Sequence, residues 1–340
     1  MKKPLLLSLM LAMAGTALAQ PTPAQLAARA RTINTGGENG AYHTLFCPPF
    51  PPALARVYFN GYACTPSRGT LENISRALAA PGAIGFAQLD VYSREAARRA
   101  EEFSRLAIIR RDIACEGLWM ITKNEQLTTL GEVQGLARRI PFILPAAESG
   151  SAASFAYLRE IDPEGLGLAS NIRNVANATE VINEVAASTN GAVGFFVQFA
   201  DPTNANIRLL VERNLRVVPV VSRELLRARV GGQAVYEVQE FNLSEGGVMG
   251  IGGRARVATT ACTPVAIFTA TPESMPAGAA RDDQRDLIQR LRDVPSAQLL
   301  PQQTGIARLI SGARRVSQSA VDGMVSAAER ARAAAARAVN

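Results

Sequence analysis

Two short stretches of small residues have the composition of an anion-binding turn. The first consists of Thr35, Gly36, Gly37 and Gly40, and the second of Ser149, Gly150 and Ser151. Each follows an apolar run and precedes an expected helix, whose first backbone N–H groups lack intrahelical partners and attract a carboxylate or phosphate. A single turn of this kind is commonly only a tight connection. Two of them, in different halves of the chain, predict an anion-binding cleft between two lobes.

The sequence offers little for catalysis. His43 is the only histidine, which excludes metal sites built from several histidines and chemistry that needs a histidine pair. A Ser-His-acid triad could use only His43, and no Gly-x-Ser-x-Gly elbow is present, because Glu148 stands where the first glycine of that motif belongs. We therefore predict no catalytic residues, no metal, no cofactor and no enzymatic activity. An exported hydrolase using His43 with a serine remains as an alternative.

Strand-like and helix-like segments alternate along the chain and would position these turns. The run RLAIIRRDIACEGLWMIT contains two expected strands, and RIPFILPA, NGAVGFFVQF and NLRVVPVV contain further ones. Expected helices lie between them, among them one that begins near Thr70 as its cap. This alternation is typical of the α/β class with mainly parallel sheets flanked by helices.

The amino terminus has the features of a secretory signal peptide, residues 1–19. Lys2 and Lys3 precede an apolar segment too short to span a membrane, and Ala17 and Ala19 fit the small-x-small cleavage rule. No cysteine follows the cleavage site, which disfavours a lipid anchor. We expect an exported protein of about 320 residues, a length that favours two lobes.

The charge pattern argues against nucleic-acid binding. Loss of Lys2 and Lys3 with the leader lowers the formal net charge from +7 to +5, and the arginines are interspersed with acidic residues. No clustered basic stripe with stacking aromatics is evident. The alanine- and arginine-rich end is expected to be a surface helix or a mobile tail, with a weak membrane-surface helix as the alternative.

Four cysteines are present: Cys47, Cys64, Cys115 and Cys262. An even number in an exported protein favours disulfides over metal thiolates. Three connectivities are possible, and free buried thiols are the alternative. We favour a Cys47–Cys64 bond, which closes a short loop and stabilises by roughly 3 kcal/mol in the chain-entropy model.

The segments INTGGENGAYH and TLENISRALAAPGAIGFAQLDVY resemble the opening of the TAXI family, the periplasmic solute receptors of TRAP transporters. The matching positions are Thr35, Gly36, Gly37, Gly40, Tyr42, Asn73 and the run Phe86–Asp90. In the second half, the Ser149–Ala152 turn and the strand Ala192–Phe196 resemble further family motifs, and Tyr236 stands for a late tyrosine. The resemblance extends in order from about Ile33 to Thr269. It departs at the proline-rich segment between Cys47 and Cys64, and at Ala152, where the family has a threonine.

The resemblance implies a type II-like periplasmic binding protein fold, with two α/β lobes joined by two crossing strands. Residues 20–117 and 259–312 would form the first lobe, residues 118–258 the second, and residues 313–340 the alanine- and arginine-rich end. The segments DIACEGLWMIT and TTACTPVAIFT would be the crossing strands. Neighbouring crossing strands would bring Cys115 and Cys262 together as the second disulfide, which would brace the hinge of a closing motion.

The resemblance further implies a periplasmic, monomeric receptor that traps an organic acid or amino acid and delivers it to the subunits of a TRAP-type permease. A ligand-sensing or protein-interaction module on the same fold is the alternative function. Beside the two turns and Tyr42, the expected ligand-binding residues are Arg68, Gln88, Asp90, Phe196 and Gln198. Asp90 would pair with a substrate amine, and Arg68 is either a carboxylate clamp or a solvated turn residue. Phe195 and Phe196 fit either the cleft wall or the core.

Overall fold

The computed structural model describes residues 31–38, 40–244, 256–300 and 314–339 of the 340-residue chain. The strands are β1 Thr32–Asn34, β2 Ala63–Thr65, β3 Ile84–Gln88, β4 Leu106–Arg110, β5 Cys115–Thr122, β6 Phe142–Leu144, β7 Ile172–Asn174, β8 Val193–Phe199, β9 Arg216–Val218, β10 Arg229–Val230, β11 Gln233–Ala234, β12 Glu237–Asn242, β13 Val257–Ala270 and β14 Arg314–Arg315. The α-helices are α1 Phe50–Arg56, α2 Thr70–Ala79, α3 Leu89–Arg98, α4 Ala100–Phe103, α5 Leu130–Gly135, α6 Gly150–Ile161, α7 Ala178–Ala187, α8 Ala205–Glu212, α9 Arg223–Arg227, α10 Ala279–Asp293, α11 Ser296–Leu299 and α12 Gln318–Val339.

The first lobe is built on three parallel strands. β1 pairs with β2 on one side and with β3 on the other, which places Ile33 beside Ile84. All five residues of β3 are buried, because helices and the neighbouring chain cover both of its faces. β3 and β4 pair antiparallel with the second half of β13.

The second lobe has the same plan. β6 pairs in parallel with β7 and β8. β8 and β9 pair antiparallel with β5, and Trp119 of β5 lies opposite Phe196 of β8. The parallel strands of each lobe therefore lie toward one end of the sheet, and the antiparallel crossing strands lie in its middle.

β5 and β13 are the two crossing strands. They pair with each other through Cys262 opposite Gly117 and Thr263 opposite Glu116. β13 is 14 residues long and continues from the second lobe into the first, where it contacts β3 and β4. The chain is thus a mixed α/β protein with two lobes, as the sequence predicted. The expectation of a mainly parallel sheet in each lobe is wrong, because the lobes share one curled sheet and the long crossing strands add antiparallel pairings that outnumber the parallel ones.

Each lobe has its own hydrophobic core on both faces of its sheet. The clusters of buried hydrophobic side chains in the first lobe consist almost entirely of residues from 33–114 and 265–299. Those in the second lobe consist of residues from 115–262. Along α10, Gln284, Leu287, Ile288 and Leu291 are buried at the spacing of an amphipathic helix.

Both predicted disulfides are confirmed in the structure. Cys47 and Cys64 are bonded with their Cα atoms 6.0 Å apart, and Cys115 and Cys262 with theirs 5.5 Å apart. The second bond joins the two crossing strands directly beside Glu116 and Thr263.

The C-terminal helix α12 is docked on the second lobe. It packs on α5 so closely that a Cβ atom on Gly131 would lie 1.7 Å from the carbonyl oxygen of Ala328. Val321 and Val325 of α12 also pack with Val221 and Val238. No helix in the described part of the chain combines the length and apolar character needed to cross a bilayer, and the expected leader, residues 1–19, lies outside the described residues.

Candidate functional site

The first glycine turn lies where β1 ends, next to the end of β3. Thr35 is fully buried, and its hydroxyl contacts Nδ1 of His43 at 3.0 Å and the carbonyl oxygen of Thr65 at 3.1 Å. Gly36 has a φ of +154°, which favours glycine. The helical turn that follows is a five-residue π-helix, Tyr42–Phe46, rather than a long helix, because the prolines after Cys47 interrupt it. Its dipole is accordingly small.

Gln88 of the first lobe meets Gly150 of the second. A Cβ atom built on Gly150 would lie 2.2 Å from Oε1 of Gln88, so an alanine here would force the Gln88 amide to move. Gln88 is 6% exposed, and its Oε1 has no hydrogen-bond partner. The backbone N–H of Gln88 donates to the hydroxyl of Thr70 at 3.3 Å. A buried, unsatisfied amide oxygen therefore faces the first turn of α6, a 12-residue helix.

The serines of the second turn organise that helix end. Ser149 is the N-cap residue of α6, and its hydroxyl accepts from the backbone N–H of Ala152 at 3.2 Å. The hydroxyl of Ser151 accepts from the backbone N–H of Val197 at 2.9 Å and so fixes α6 to β8. The backbone N–H groups of Gly150 and Ser151 are the donors that the start of α6 leaves without an intrahelical partner.

Asp90 lies in the first turn of α3, fully buried between the lobes. Its Oδ2 accepts from the phenol of Tyr236 at 3.2 Å, and its Oδ1 accepts from the backbone N–H of Val91 at 2.8 Å. Its own N–H donates to the hydroxyl of Thr263 on β13 at 3.1 Å. Burial raises the pKa of the Asp90 carboxyl, and the surrounding hydroxyls, including that of Ser154, lower it in part.

Glu116 on β5 is a second buried acid, 7% exposed. Its Oε2 accepts a very short hydrogen bond from the phenol of Tyr42. Burial raises the pKa of Glu116 from 4.5 to about 7, the Tyr42 bond lowers it, and the charge of Asp90 raises it further. Burial and the carboxyl groups also raise the pKa of Tyr42 well above its ordinary value. Tyr42 thus connects the first glycine turn to the crossing strand.

Polar contacts between α3 and α6 close the edge of this site. Arg94 donates to Oε1 of Glu160 at 2.8 and 3.0 Å, and Arg98 donates to the same oxygen at 2.6 Å. Farther in, the hydroxyls of Ser93 and Tyr157 are 3.4 Å apart. In this conformation the two lobes are therefore in contact along these helices.

Three predicted ligand residues lie away from this contact. Phe196 has no exposed surface and packs with Trp119 in the core, because its side chain points to the face of β8 that α7 covers. The sequence left open whether Phe196 lines the cleft or lies in the core, and in the structure it lies in the core. Oε1 of Gln198 accepts from the side chain of Asn206 at 2.9 Å. The Arg68 side chain is 87% exposed and pairs with Glu72 at 3.1 Å, as expected of a solvated turn arginine.

Within the described ranges, no acidic side chain is hydrogen-bonded to His43. The described hydrogen bond of its ring is to the hydroxyl of Thr35, which is also in contact with the Thr65 carbonyl. Among the described residues, no three histidine, cysteine, aspartate or glutamate side chains converge as a metal site would require.

Sequence reasoning missed Glu116 and Tyr157. Glu116 lies inside a hydrophobic strand, between Cys115 and Gly117. Because a buried strand rarely contains a charged residue, this acid could have been identified from the sequence as a candidate functional residue. Tyr236, matched only by resemblance, lies beside Asp90. No local pattern identifies Tyr157 on α6.

No family model matches this sequence, and no curated protein matches it. Among solved structures, the chain is similar to "a periplasmic transporter", at 11% identity and a TM-score of 0.47 over 91% of this chain and 95% of the other. It is also similar to a TctC solute-binding protein from Polaromonas, at 9% identity and a TM-score of 0.45 over 91% of this chain and 96% of the other. A third similar structure is MatC from Rhodopseudomonas palustris with bound malate, at 10% identity and a TM-score of 0.39 over 88% of this chain and 98% of the other.

Proposed function

We propose that this chain is an exported, periplasmic solute receptor that closes two lobes on a small ligand with a carboxylate, an organic acid or an amino acid. It would act as a monomer and deliver the ligand to a TRAP-type permease, as a receptor of the TAXI type does. The lobe boundaries are those expected from the sequence, residues 20–117 with 259–312 and residues 118–258. No catalytic step is assigned to it.

One observation carries the proposal: the unpartnered Oε1 of Gln88 is buried against the N-terminus of α6 at Gly150. A buried amide oxygen without a partner costs about 1–3 kcal/mol. A ligand carboxylate placed between the lobes would accept from the N–H groups of Gly150 and Ser151. The Gln88 amide could then turn its NH₂ group toward the ligand and donate a hydrogen bond to the carboxylate.

Separation of the lobes gives a ligand access to this position. Arg94, Arg98 and Glu160 form the outer contact between α3 and α6. The exposed pair of Arg98 and Glu160 can part at small cost, whereas the Arg94 side chain is only 15% exposed. Domain closure around a ligand is a common design for two-lobed proteins with hinge strands.

The proposal is tested by a thermal-shift screen of the mature protein, Gln20 onward, against the amino acids and small mono- and dicarboxylates. A ligand at 100 times its dissociation constant stabilises the fold by about 2.7 kcal/mol. For a chain of this size that corresponds to roughly 4 °C in Tm. No shift with any compound would contradict the receptor function.

Substitution of Gly150 then tests whether the ligand binds at the start of α6. In Gly150→Ala the new Cβ would collide with Gln88 on closure, so we expect the ligand-induced shift to disappear. Gly323→Ala is the matched control, because a Cβ there meets nothing within 4 Å. An undiminished shift in Gly150→Ala would place the ligand elsewhere.

A further inference from the structure

A cavity of about 930 Å³ lies beside β9 in the second lobe. Its walls are the end of β5, the turn from α8 to β9, β9 itself and the first residues of β13, together with Met324 of α12. The cavity shares none of these lining residues with the contact between Gln88 and Gly150. Its size is that of an ordinary small-molecule site.

Four cationic side chains line this cavity, and they come from three separate parts of the chain. Lys123 follows β5, Arg213 and Arg216 lie at the turn from α8 to β9, and Arg256 directly precedes β13. The acidic residue among the described lining residues is Glu125, which is exposed. The walls of the cavity therefore have an excess of positive charge.

The described acidic side chains do not neutralise these four cations. None of the ion pairs formed within the described ranges includes any of them. Lys123 donates to the carbonyl oxygen of Ala186 at 3.3 Å. Arg213 donates to the amide oxygen of Asn183 at 3.4 Å. Both acceptors are uncharged, so each cation keeps its charge available to a ligand.

Arg256 differs from the other three cations because it is half-buried. Its guanidinium donates to the carbonyl oxygen of Leu215, and its backbone N–H donates to the hydroxyl of Ser244 at 2.9 Å. Burial lowers the pKa of Arg256, and the nearby charge of Arg216 lowers it further. A half-buried guanidinium beside a second cation is costly unless an anion compensates it.

The rest of the sequence contains little acid that could do so. Outside the described residues the chain has one aspartate or glutamate, Glu245, and the same stretch between β12 and β13 also contains Arg254. Residues 245–255 therefore bring no net negative charge to this part of the second lobe. The compensating anion is accordingly sought outside the chain.

We propose that this cavity is a second binding site, independent of the one between the lobes, for a small molecule with two or more negative charges on phosphate or carboxylate groups. Guanidinium groups bind both kinds of oxyanion through paired hydrogen bonds. Arg256 and Arg216 hold one anionic group, and the exposed Lys123 and Arg213 attract the remaining charge. Single-stranded nucleic acid is a poor fit, because none of the described lining residues is an aromatic side chain on which a base could stack.

The experiment is isothermal titration calorimetry of the mature protein at low salt with pyrophosphate and with citrate. These probes represent the phosphate and the carboxylate class, and acetate is the singly charged control. We expect at least one probe to bind saturably, and at least about 10-fold more tightly than acetate. Its affinity should fall as the salt concentration rises, because salt screens the exposed cations.

Arginine variants then test the position of the site. Arg216→Gln removes an exposed cation of the cavity and Arg256→Gln the half-buried one, and each should weaken probe binding at least about 10-fold through loss of charge-assisted hydrogen bonds. Arg292→Gln, at an exposed position on α10, removes the same charge from the first lobe and should bind as the wild type does. If Arg256→Gln fails to fold because the Leu215 carbonyl loses its donor, Arg216→Gln decides the test.

Gly150→Ala separates this site from the one between the lobes. The variant should retain probe binding, since Gly150 does not line the cavity. Loss of probe binding in Gly150→Ala would place the anion between the lobes and overturn the inference.

Two further results would overturn it. One is the absence of saturable binding by both probes at low salt. The other is an equal affinity of Arg216→Gln, Arg256→Gln and Arg292→Gln, which would show attraction by net charge alone or binding elsewhere. Neither result bears on the receptor function, which the thermal-shift screen tests separately.

Discussion

The buried carboxyl of Glu116 predicts a specific dependence of stability on pH. Its pKa in the folded protein is about 7 instead of 4.5, so the folded state binds the proton more tightly than the unfolded state does. The stability associated with this proton is fully present below pH 4.5 and is lost as the pH rises to about 7. With 1.36 kcal/mol for each pKa unit, the loss is about 3 kcal/mol.

Glu116→Gln removes this titration while keeping the shape of the side chain. The amide NH₂ adds a cost of its own if it finds no acceptor, but that cost does not vary with pH. The difference in unfolding free energy between variant and wild type should therefore change by about 3 kcal/mol in favour of the variant between pH 4.5 and pH 8. Asp90 titrates in both proteins, and its contribution largely cancels in the comparison.

Urea unfolding at pH 4.5, 6, 7 and 8 measures this difference. In a protein of this size the change corresponds to roughly 4–5 °C in Tm. Glu101→Gln, an exposed position on α4, controls for the loss of one negative charge. A difference between Glu116→Gln and wild type that is constant across these pH values would refute the assignment of Glu116 as a buried, titrating acid.

Two further predictions concern the contacts that hold the closed form and the C-terminal helix. Glu160→Gln removes the negative charge that Arg94 and Arg98 share. Ligand affinity should therefore fall by a few-fold at low salt and much less at 0.5 M salt, as titration calorimetry would show. Equal affinities of variant and wild type at low salt would contradict a closing role. Gly131→Ala should displace α12 and lower the free energy of unfolding by about 1–3 kcal/mol, whereas Gly323→Ala should leave it unchanged. Limited proteolysis of the C-terminal helix, together with a Tm measurement, would test this. Equal Tm values for the two variants would contradict the docking of α12 on α5.

The sequence was sufficient for the class of fold and for the disulfides. Strands such as β3 are apolar throughout, and their alternation with helices identifies an α/β protein. The pairing of Cys115 with Cys262 required the expectation that the crossing strands are neighbours. The cap of α2 was predicted one residue late: Gly69 is the N-cap, and the hydroxyl of Thr70 instead accepts from the backbone of Gln88.

The site was predicted only in part, because its members come from distant parts of the chain. Gly150 and Gln88 do meet between the lobes, and Asp90 follows Gln88 closely in the first turn of α3. For the other predicted ligand residues, the outcome depends on which face of the sheet the side chain points to. On β8, alternate residues face opposite sides, so Phe196 packs in one core cluster while Phe195 and Val197 pack in the other. Glu116 and Tyr42 meet across 74 residues, a contact that no local pattern encodes.

The central claim is that one small ligand is held by both lobes at once, and titration calorimetry of one variant from each lobe tests it most directly. The ligand is the amino acid with the largest thermal shift, and the proteins are wild type, Asp90→Asn, Gly150→Ala and the Gly323→Ala control. We predict that Asp90→Asn and Gly150→Ala each weaken binding at least about 10-fold, and that the control binds as the wild type does. Weakening by only one of the two, with the other equal to wild type, would contradict a site shared between the lobes.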